Sequence, residues 1–172
     1  FFQKDNLDQK LKCLDNFKAA RTTNSISFLI EFLKDSNSTV QLKTAETIIH
    51  LYKQLKSQNE LYESLKYVNI EKADINYYKT VFTPDIYLNL LTIASMNKSG
   101  YVREKAIKEL AASQNSDAIK FILLRLGDCV IAVRETAQKA IRTFFTTCYI
   151  EAFLQHLPLI DWLLQVQRTD LL

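Results

Sequence analysis

The chain has 172 residues, of which 48% are hydrophobic, and this is enough for one domain with a sizeable buried core. Its 22 Lys and Arg against 19 Asp and Glu give a net charge of +3, which by number alone is too weak to indicate a dedicated nucleic-acid binder. Two Gly and two Pro leave few turn residues for β-hairpins and exclude a Gly-rich phosphate loop, so we expect an all-α fold.

The first 56 residues have the apolar spacing of helices. Residues 1–21 are predicted to form the second helix of a truncated repeat, because the apolar register of later segments continues back into this stretch. Residues 25–56 are predicted to form a complete helical hairpin. Its two helices, within FLIEFLKDSNSTVQLKTAETIIHL, are expected to meet near Asp35.

Residues 57–83 depart from this pattern, because Asn76 and Lys79 stand where apolar residues are expected. The segment is either a degenerate repeat or an insertion. It also begins a cluster of tyrosines, a residue type enriched at binding hot spots. The cluster is either a binding surface or a set of bulky side chains that fills a degenerate repeat. Its members are Tyr62, Tyr67, Tyr77, Tyr78 and Tyr87.

Residues 84–113 and 116–146 are each predicted to form a helical hairpin. In the second hairpin, Ser116 or Asp117 is expected to cap the first helix, and Gly127 is expected to end it in a left-handed conformation. Residues 147–172 are predicted to form terminal helices with a break at Pro158. They either fold back over the last hairpin or continue into further repeats.

The hairpins share a period of about 31 residues. The dipeptide Val102-Arg103 recurs as Val133-Arg134 after 31 residues, and Val40 lies 62 residues before Val102. Two helices cannot bury both of their apolar faces within one hairpin, so neighbouring hairpins are expected to stack. The sequence therefore predicts a right-handed α-solenoid of helical hairpins that forms a single domain over 1–172.

The repeated pattern resembles the HEAT repeat. It is clearest in ILLRLGDCVIAVRETAQKAI (122–141) and is also visible in NLLTIASMNKSGYVREKAIKEL (89–110) and FLIEFLKDSNSTVQLKTAETI (28–48). In that family the Asp and Arg are structural, and they form a ladder along the stack. The resemblance implies this role for Asp35, Asp128, Arg103 and Arg134. Gln41 and Asn97 replace the Arg and the Asp of the pattern and would leave the ladder incomplete.

Catalytic residues are not indicated by the sequence. His50 and His156 are the only histidines and lie 106 residues apart, without the spacing of a metal site. We expect His50 to be a partly buried structural residue, and we predict no catalytic, cofactor-binding or metal-binding site. Two enzyme alternatives come from family likeness alone. Some HEAT-like proteins resemble alkylpurine DNA glycosylases, for which Trp162 is the only tryptophan available, and others resemble bilin lyases.

Partner binding is the predicted function. In α-solenoids of this kind the second helices line the concave face, so their exposed positions are the candidate contact set. These positions are Lys43, Glu46, Lys105, Lys108, Glu135, Lys139 and Arg142. Their mixed charge leans basic and suits a protein partner with an acidic surface. The alternatives are solubilising pairs, Glu104 with Lys108 and Glu135 with Lys139, and a DNA- or RNA-binding solenoid.

The cellular context is predicted to be the cytoplasm. No apolar run approaches the ~20 residues of a membrane span, so we expect no membrane contact by this segment. Cys13, Cys129 and Cys148 are expected to be buried, reduced thiols. Because the chain starts with Phe1 and its only Met is Met96, we expect a fragment or a processed chain, and a membrane anchor upstream stays open.

Overall fold

A computed structural model describes residues 7–65 and 67–165, except for the side chain of Gln58. Every regular element in these ranges is helical, which confirms the all-α prediction. The α-helices are α1 Leu7–Ala20, α2 Ile26–Leu29, α3 Ser38–Tyr52, α4 Gln58–Leu65, α5 Lys72–Val81, α6 Pro84–Ala94, α7 Gly100–Ser113, α8 Ala118–Leu126, α9 Ile131–Arg142, α10 Ile150–Gln155 and α11 Leu157–Leu164. Short 3-10 helices lie at Thr23–Ser25, Ile30–Lys34 and Thr147–Tyr149.

The helices pack around one continuous apolar core that extends from Leu14 in α1 to Leu163 in α11. α6 packs on α7 and α8 on α9, and α7 also packs on α9, so two successive hairpins share their interface. Val102, Ala106 and Leu110 repeat every four residues along α7 and are buried there. This spacing explains why the apolar pattern of the sequence predicts the buried face correctly.

Two local predictions about the α8 hairpin are wrong. Gly127 has φ −95° and is not left-handed, whereas Gln114, after α7, has φ 49°. The turn after α8 needs no left-handed residue because Asp128 closes it with its own hydrogen bonds. Asp117 occupies the N-cap of α8 without a side-chain capping bond, and its backbone N–H donates to Asn115 Oδ1 at 2.8 Å instead.

The segment predicted as one first helix in 25–56 is not continuous, since the four-residue α2 passes into the 3-10 helix Ile30–Lys34. The irregular segment 57–83 contains α4 and α5. α5 begins at a turn in which Asp74 Oδ2 accepts the Glu71 backbone N–H at 2.9 Å.

The terminal helices fold back in part. α11 packs on α8 and buries Leu163, but Leu157, Trp162 and Leu164 remain about half exposed. The predicted terminal segment 147–172 extends past Gln165, and its last seven residues lie outside the described ranges. Among the described residues, no helix is long and apolar enough to cross a membrane.

Candidate partner-binding surface

The turns between paired helices share one hydrogen-bond arrangement, and it positions the helices of the candidate surface. A side-chain oxygen at the start of the turn accepts the backbone N–H two residues later: Asp35 from Asn37 at 2.9 Å, Asn97 from Ser99 at 2.8 Å, and Asp128 from Val130 at 2.9 Å. A side-chain N–H then donates to the backbone carbonyl six residues earlier: Gln41 to Asp35 at 2.6 Å, Arg103 to Asn97 at 2.8 Å, and Arg134 to Asp128 at 2.6 Å. Gln41 thus makes the same bond as the two arginines.

Two ion pairs connect one hairpin to the next. Arg103 Nε and Nη2 donate to the two carboxylate oxygens of Asp128 at 2.7 and 2.6 Å, and both side chains are buried. Lys10 Nζ lies 2.6 Å from Asp35 Oδ2. Burial by itself would raise the pKa of Asp128, but hydrogen bonds from Arg103 and from the Val130 N–H lower it. Both pairs span 25 residues, so a cation in one hairpin pairs with the turn carboxylate of the following one.

Asn97 occupies the turn position that corresponds to Asp35 and Asp128, and it provides an amide in place of a carboxylate. Its Nδ2 donates to the backbone carbonyls of Val68 at 2.9 Å and Ile70 at 3.3 Å. Lys72, which precedes Asn97 by 25 residues, is exposed. An amide is suited to this position because the neighbouring groups are carbonyl acceptors and not a cation.

The seven candidate contact residues lie on three helices: Lys43 and Glu46 on α3, Lys105 and Lys108 on α7, and Glu135, Lys139 and Arg142 on α9. All three lysines of α3 and α7 are already in ion pairs: Lys43 with Asp15 at 2.8 Å, Lys105 with Glu109 at 2.8 Å, and Lys108 with Glu104 at 2.5 Å. Among the described residues, Glu135, Lys139 and Arg142 form no ion pair. The solubilising pair expected at Glu104 and Lys108 is present, whereas the one expected at Glu135 and Lys139 is not.

A groove of about 460 Å³ lies between α7 and α9. Its charged lining is Glu104, Lys108, Glu135 and Lys139, and small residues such as Ala111 and Ala132 form the rest. Arg142 lines a separate apolar pocket of about 220 Å³ with residues that include Phe145 and Phe153. Lys43, Glu46 and Lys105 do not line the groove. We refer to the α7–α9 groove together with Arg142 as the α9 surface.

Lys105 belongs to an ion-pair cluster around Glu109. Lys105 Nζ and Lys79 Nζ each lie 2.8 Å from a carboxylate oxygen of Glu109, and the Tyr87 hydroxyl donates to the same carboxylate at 3.2 Å. Burial would raise the pKa of Glu109, but the hydrogen bonds from Lys105 and Lys79 lower it to about 2. The cluster connects α5, α6 and α7, so Lys105 contributes to the packing of these helices.

Several other expected features are placed differently by the structure. His50 is exposed on the solvent side of α3, so the expectation of a partly buried histidine is wrong. Cys129 and Cys148 are exposed, because Cys129 lies in the turn after α8 and Cys148 in the short 3-10 helix Thr147–Tyr149, and Cys13 is half-buried. The tyrosine cluster does not form one surface, since Tyr78 is buried whereas Tyr62 and Tyr67 are exposed. Residues 7–65 and 67–165 contain no group of three His, Cys, Asp or Glu placed to hold a metal ion.

Arg125 is not among the residues predicted from the sequence, although it lies in a polar cavity with Trp162 and Asp128. Its spacing of three residues before Asp128 on the end of a helix was the available signal. Comparison of the chain with protein-family models, with curated proteins and with solved structures found no match. What the surface can bind therefore has to be inferred from its own residues.

Proposed function

We propose that the chain is a non-catalytic scaffold, a right-handed superhelix of HEAT-like hairpins that binds another protein. The equivalent turns at Asp35, Asn97 and Asp128 and the two ion pairs of equal sequence separation support a repeated architecture. The packing of α1 on α3, α5 on α7 and α7 on α9 supports a row of second helices. We place the protein in the cytoplasm, where reducing conditions suit the exposed thiols of Cys129 and Cys148.

The binding proposal depends mainly on two cations of α9 that have no ion-pair partner in the described part of the chain. Lys139 and Arg142 are exposed cations without an ion-pair partner among the described residues, and Lys139 lines the groove that α9 forms with α7. The lysines of α3 and α7, in contrast, already have carboxylate partners. An unpaired cation can pair with a partner's carboxylate without breaking an existing ion pair, so an acidic protein surface would bind best at α9.

A DNA- or RNA-binding solenoid is the second candidate, because the candidate surface leans basic. Glu104 and Glu135 line the same groove as Lys108 and Lys139, and these carboxylates would repel a phosphate backbone. A protein partner can place Lys or Arg opposite the two glutamates. The mixed charge of the groove therefore favours protein over nucleic acid.

The proposal is tested by site-specific crosslinking followed by binding measurements. A photoreactive amino acid replaces Thr136, which lines the groove, or Lys53, an exposed residue just after α3, in the full protein expressed in its own cells. We expect one crosslinked protein at position 136 and not at position 53. With that protein purified, K139E/R142E should weaken binding about tenfold or more. The control K53E should leave it unchanged, and added salt should weaken it.

Two outcomes would contradict the proposal. One is equal crosslinking at positions 136 and 53. The other is binding of the wild-type protein to duplex DNA that falls steeply with salt and is lost in K139E/R142E, which would favour the nucleic-acid alternative.

A further inference from the structure

A polar cavity of about 510 Å³ lies apart from the α9 surface, where α4, α8, α11 and two inter-helix turns meet. The lining residues that matter here are Tyr62, Lys98, Arg103, Arg125, Asp128 and Trp162. Small-molecule sites in proteins commonly have volumes of about 300–1,000 Å³, and they combine apolar walls with a few convergent polar groups. The cavity has both features.

Arg103 and Asp128 are fully engaged with each other and with the backbone. The Asp128 carboxylate accepts two bonds from Arg103, one from Arg125 and one from the Val130 N–H. Arg103 Nη1 also donates to the carbonyls of Asn97 and Lys98, at 2.8 and 3.0 Å. The remaining Arg103 hydrogen, on Nη2, makes a 3.8 Å contact with Cys129 Sγ, so the pair is largely committed to the protein.

Arg125 is the group in the cavity without adequate partners. Its Nη1 lies 3.2 Å from Asp128 Oδ2, and its Nη2 lies 3.5 Å from the sulfur of Met96, which is a weak acceptor. Its Nε is buried and has no hydrogen-bond partner. Burial also lowers the pKa of Arg125 from its ordinary value, although a guanidinium remains charged at neutral pH. Because Nε is buried, a ligand in the cavity would use the second hydrogens of Nη1 and Nη2, for which the described residues supply no acceptor.

Lys98 adds a second cation to the lining. It is exposed, and it forms no ion pair with the described residues. The cavity therefore has three cations, Lys98, Arg103 and Arg125, against one carboxylate, Asp128, which is already saturated. The excess positive charge lies on Arg125 and Lys98.

Two aromatic side chains complete the lining. Trp162 is 49% exposed and Tyr62 is 59% exposed, so both rings present apolar surface that the core does not cover. A planar ligand could pack on either ring. Cationic groups and exposed rings in one lining together define what the cavity is suited to hold.

We infer that this cavity binds a small aromatic oxyanion, with its carboxylate or phosphate held by Arg125 and Lys98 and its ring packed against Trp162. The oxyanion accepts from the second hydrogens of Arg125 Nη1 and Nη2, which Asp128 and Met96 do not take. The inference does not depend on protein binding at the α9 surface, because the two sites share no lining residue.

Trp162 provides a direct readout, since it is the only tryptophan in the chain. The full protein is titrated with phenyl phosphate and with phenylacetate while Trp162 fluorescence is followed. Phenol, which has the ring without the anion, and inorganic phosphate, which has the anion without the ring, are the matched ligands. We expect a saturable fluorescence change with at least one aromatic anion, and affinity at least about tenfold weaker for phenol and for inorganic phosphate. Whether phenyl phosphate or phenylacetate binds more tightly identifies the anion.

Substitutions of Arg125 and Lys98 test whether the aromatic anion binds in the cavity. R125Q should weaken the aromatic anion about tenfold or more, and K98Q should weaken it severalfold, by roughly two- to fivefold. K53Q, which changes an exposed lysine just after α3, should leave the affinity for the aromatic anion unchanged. Because Lys98 is exposed, K98Q is expected to fold even if R125Q does not, and circular dichroism checks both. Equal binding of phenol, no saturable signal from either aromatic anion, or unchanged binding in folded R125Q or in K98Q would overturn the inference.

Discussion

Arg103 and Asp128 form a buried, bidentate ion pair across 25 residues of sequence, with N–O distances of 2.7 and 2.6 Å. Lys10 and Asp35 form the corresponding pair with the same separation, through a single contact of 2.6 Å. The buried pair uses an arginine, whose planar guanidinium satisfies both carboxylate oxygens and still bonds two carbonyls. The more exposed pair uses a lysine, because water can satisfy the remaining donors of its ammonium group.

Removal of Arg103 is expected to destabilise the fold strongly. R103A leaves the Asp128 carboxylate buried without its main cation, and breaking a buried pair on one side costs about 3–5 kcal/mol. R134Q is the matched control, since Gln41 already makes the equivalent side-chain bond to the turn carbonyl. Urea unfolding should show a large loss for R103A and a loss of less than about 1 kcal/mol for R134Q. Equal losses would show that the ion pair does not stabilise the hairpin interface.

Replacement of Asn97 by the more typical aspartate is expected to be harmful. N97D places a carboxylate against the carbonyls of Val68 and Ile70, which need a donor, so we expect a loss of about 1–3 kcal/mol in the free energy of unfolding. The reciprocal change D35N keeps the acceptor for the Asn37 N–H and loses only the pair with Lys10, at a cost of about 1 kcal/mol or less. Chemical denaturation of both variants measures the difference. A stability of N97D equal to wild type would contradict this account of the amide.

Acid sensitivity should depend on Glu109. Its pKa is about 2 in the folded protein, where Lys105 and Lys79 outweigh the effect of burial, and about 4.3 in an unfolded chain. A lowered folded pKa means that the stabilisation is complete above the unfolded pKa and is lost as the pH falls from about 4.3 to about 2. E109Q should be less stable than wild type at neutral pH, and the two should converge at about pH 2.

The measurement is the thermal midpoint of wild type and E109Q from neutral pH down to about pH 2. E46Q is the control, because Glu46 is an exposed glutamate on α3. A constant difference between wild type and E109Q over the acid range would contradict the pKa assignment. A change in acid slope for E46Q as large as that for E109Q would also contradict it.

Two adjacent phenylalanines after α9 should respond very differently to truncation. Phe144 is fully buried and its ring centroid lies 4.9 Å from that of Tyr149, whereas Phe145 is 65% exposed. F144A should cost about 3–5 kcal/mol, because it leaves a cavity in the core. F145A should cost less than about 1 kcal/mol. Unfolding midpoints for the two variants test this, and a similar cost for both would mean that the helix end is packed differently.

Features that depend on near neighbours in sequence could be predicted. Val102, Ala106 and Leu110 are predicted to lie on the apolar face of α7 and are buried there, because a helix returns to the same face every three to four residues. Positions 35, 97 and 128 can be recognised from the sequence as turn positions for a similar reason. Each accepts a backbone N–H only two residues away. The exposure of Cys129 and Cys148 could not be predicted, because Cys129 lies in a turn and Cys148 in a short 3-10 helix, where α-helical periodicity does not apply.

The candidate sites depend more on distant contacts. The sequence predicts that Lys105 and Lys139 lie on helices, but only the packing of α5 on α7 brings Lys79 to Glu109 and so commits Lys105 to an internal cluster. Lys139 has no such neighbour among the described residues. The two lysines therefore differ in availability to a partner, although their helices have equivalent sequence patterns.

The helical character of the chain and the apolar faces of α6 to α9 can be predicted from the amino-acid sequence, because these properties arise from interactions over a few residues. Tertiary packing sets the remaining features: Arg103 pairs with Asp128, Asn97 donates to Val68 and Ile70, and Arg125 lines a cavity while its buried Nε has no hydrogen-bond partner among the described residues. Each of these depends on which atoms a different helix pair places beside the side chain, and that placement is set by how the hairpins pack on one another.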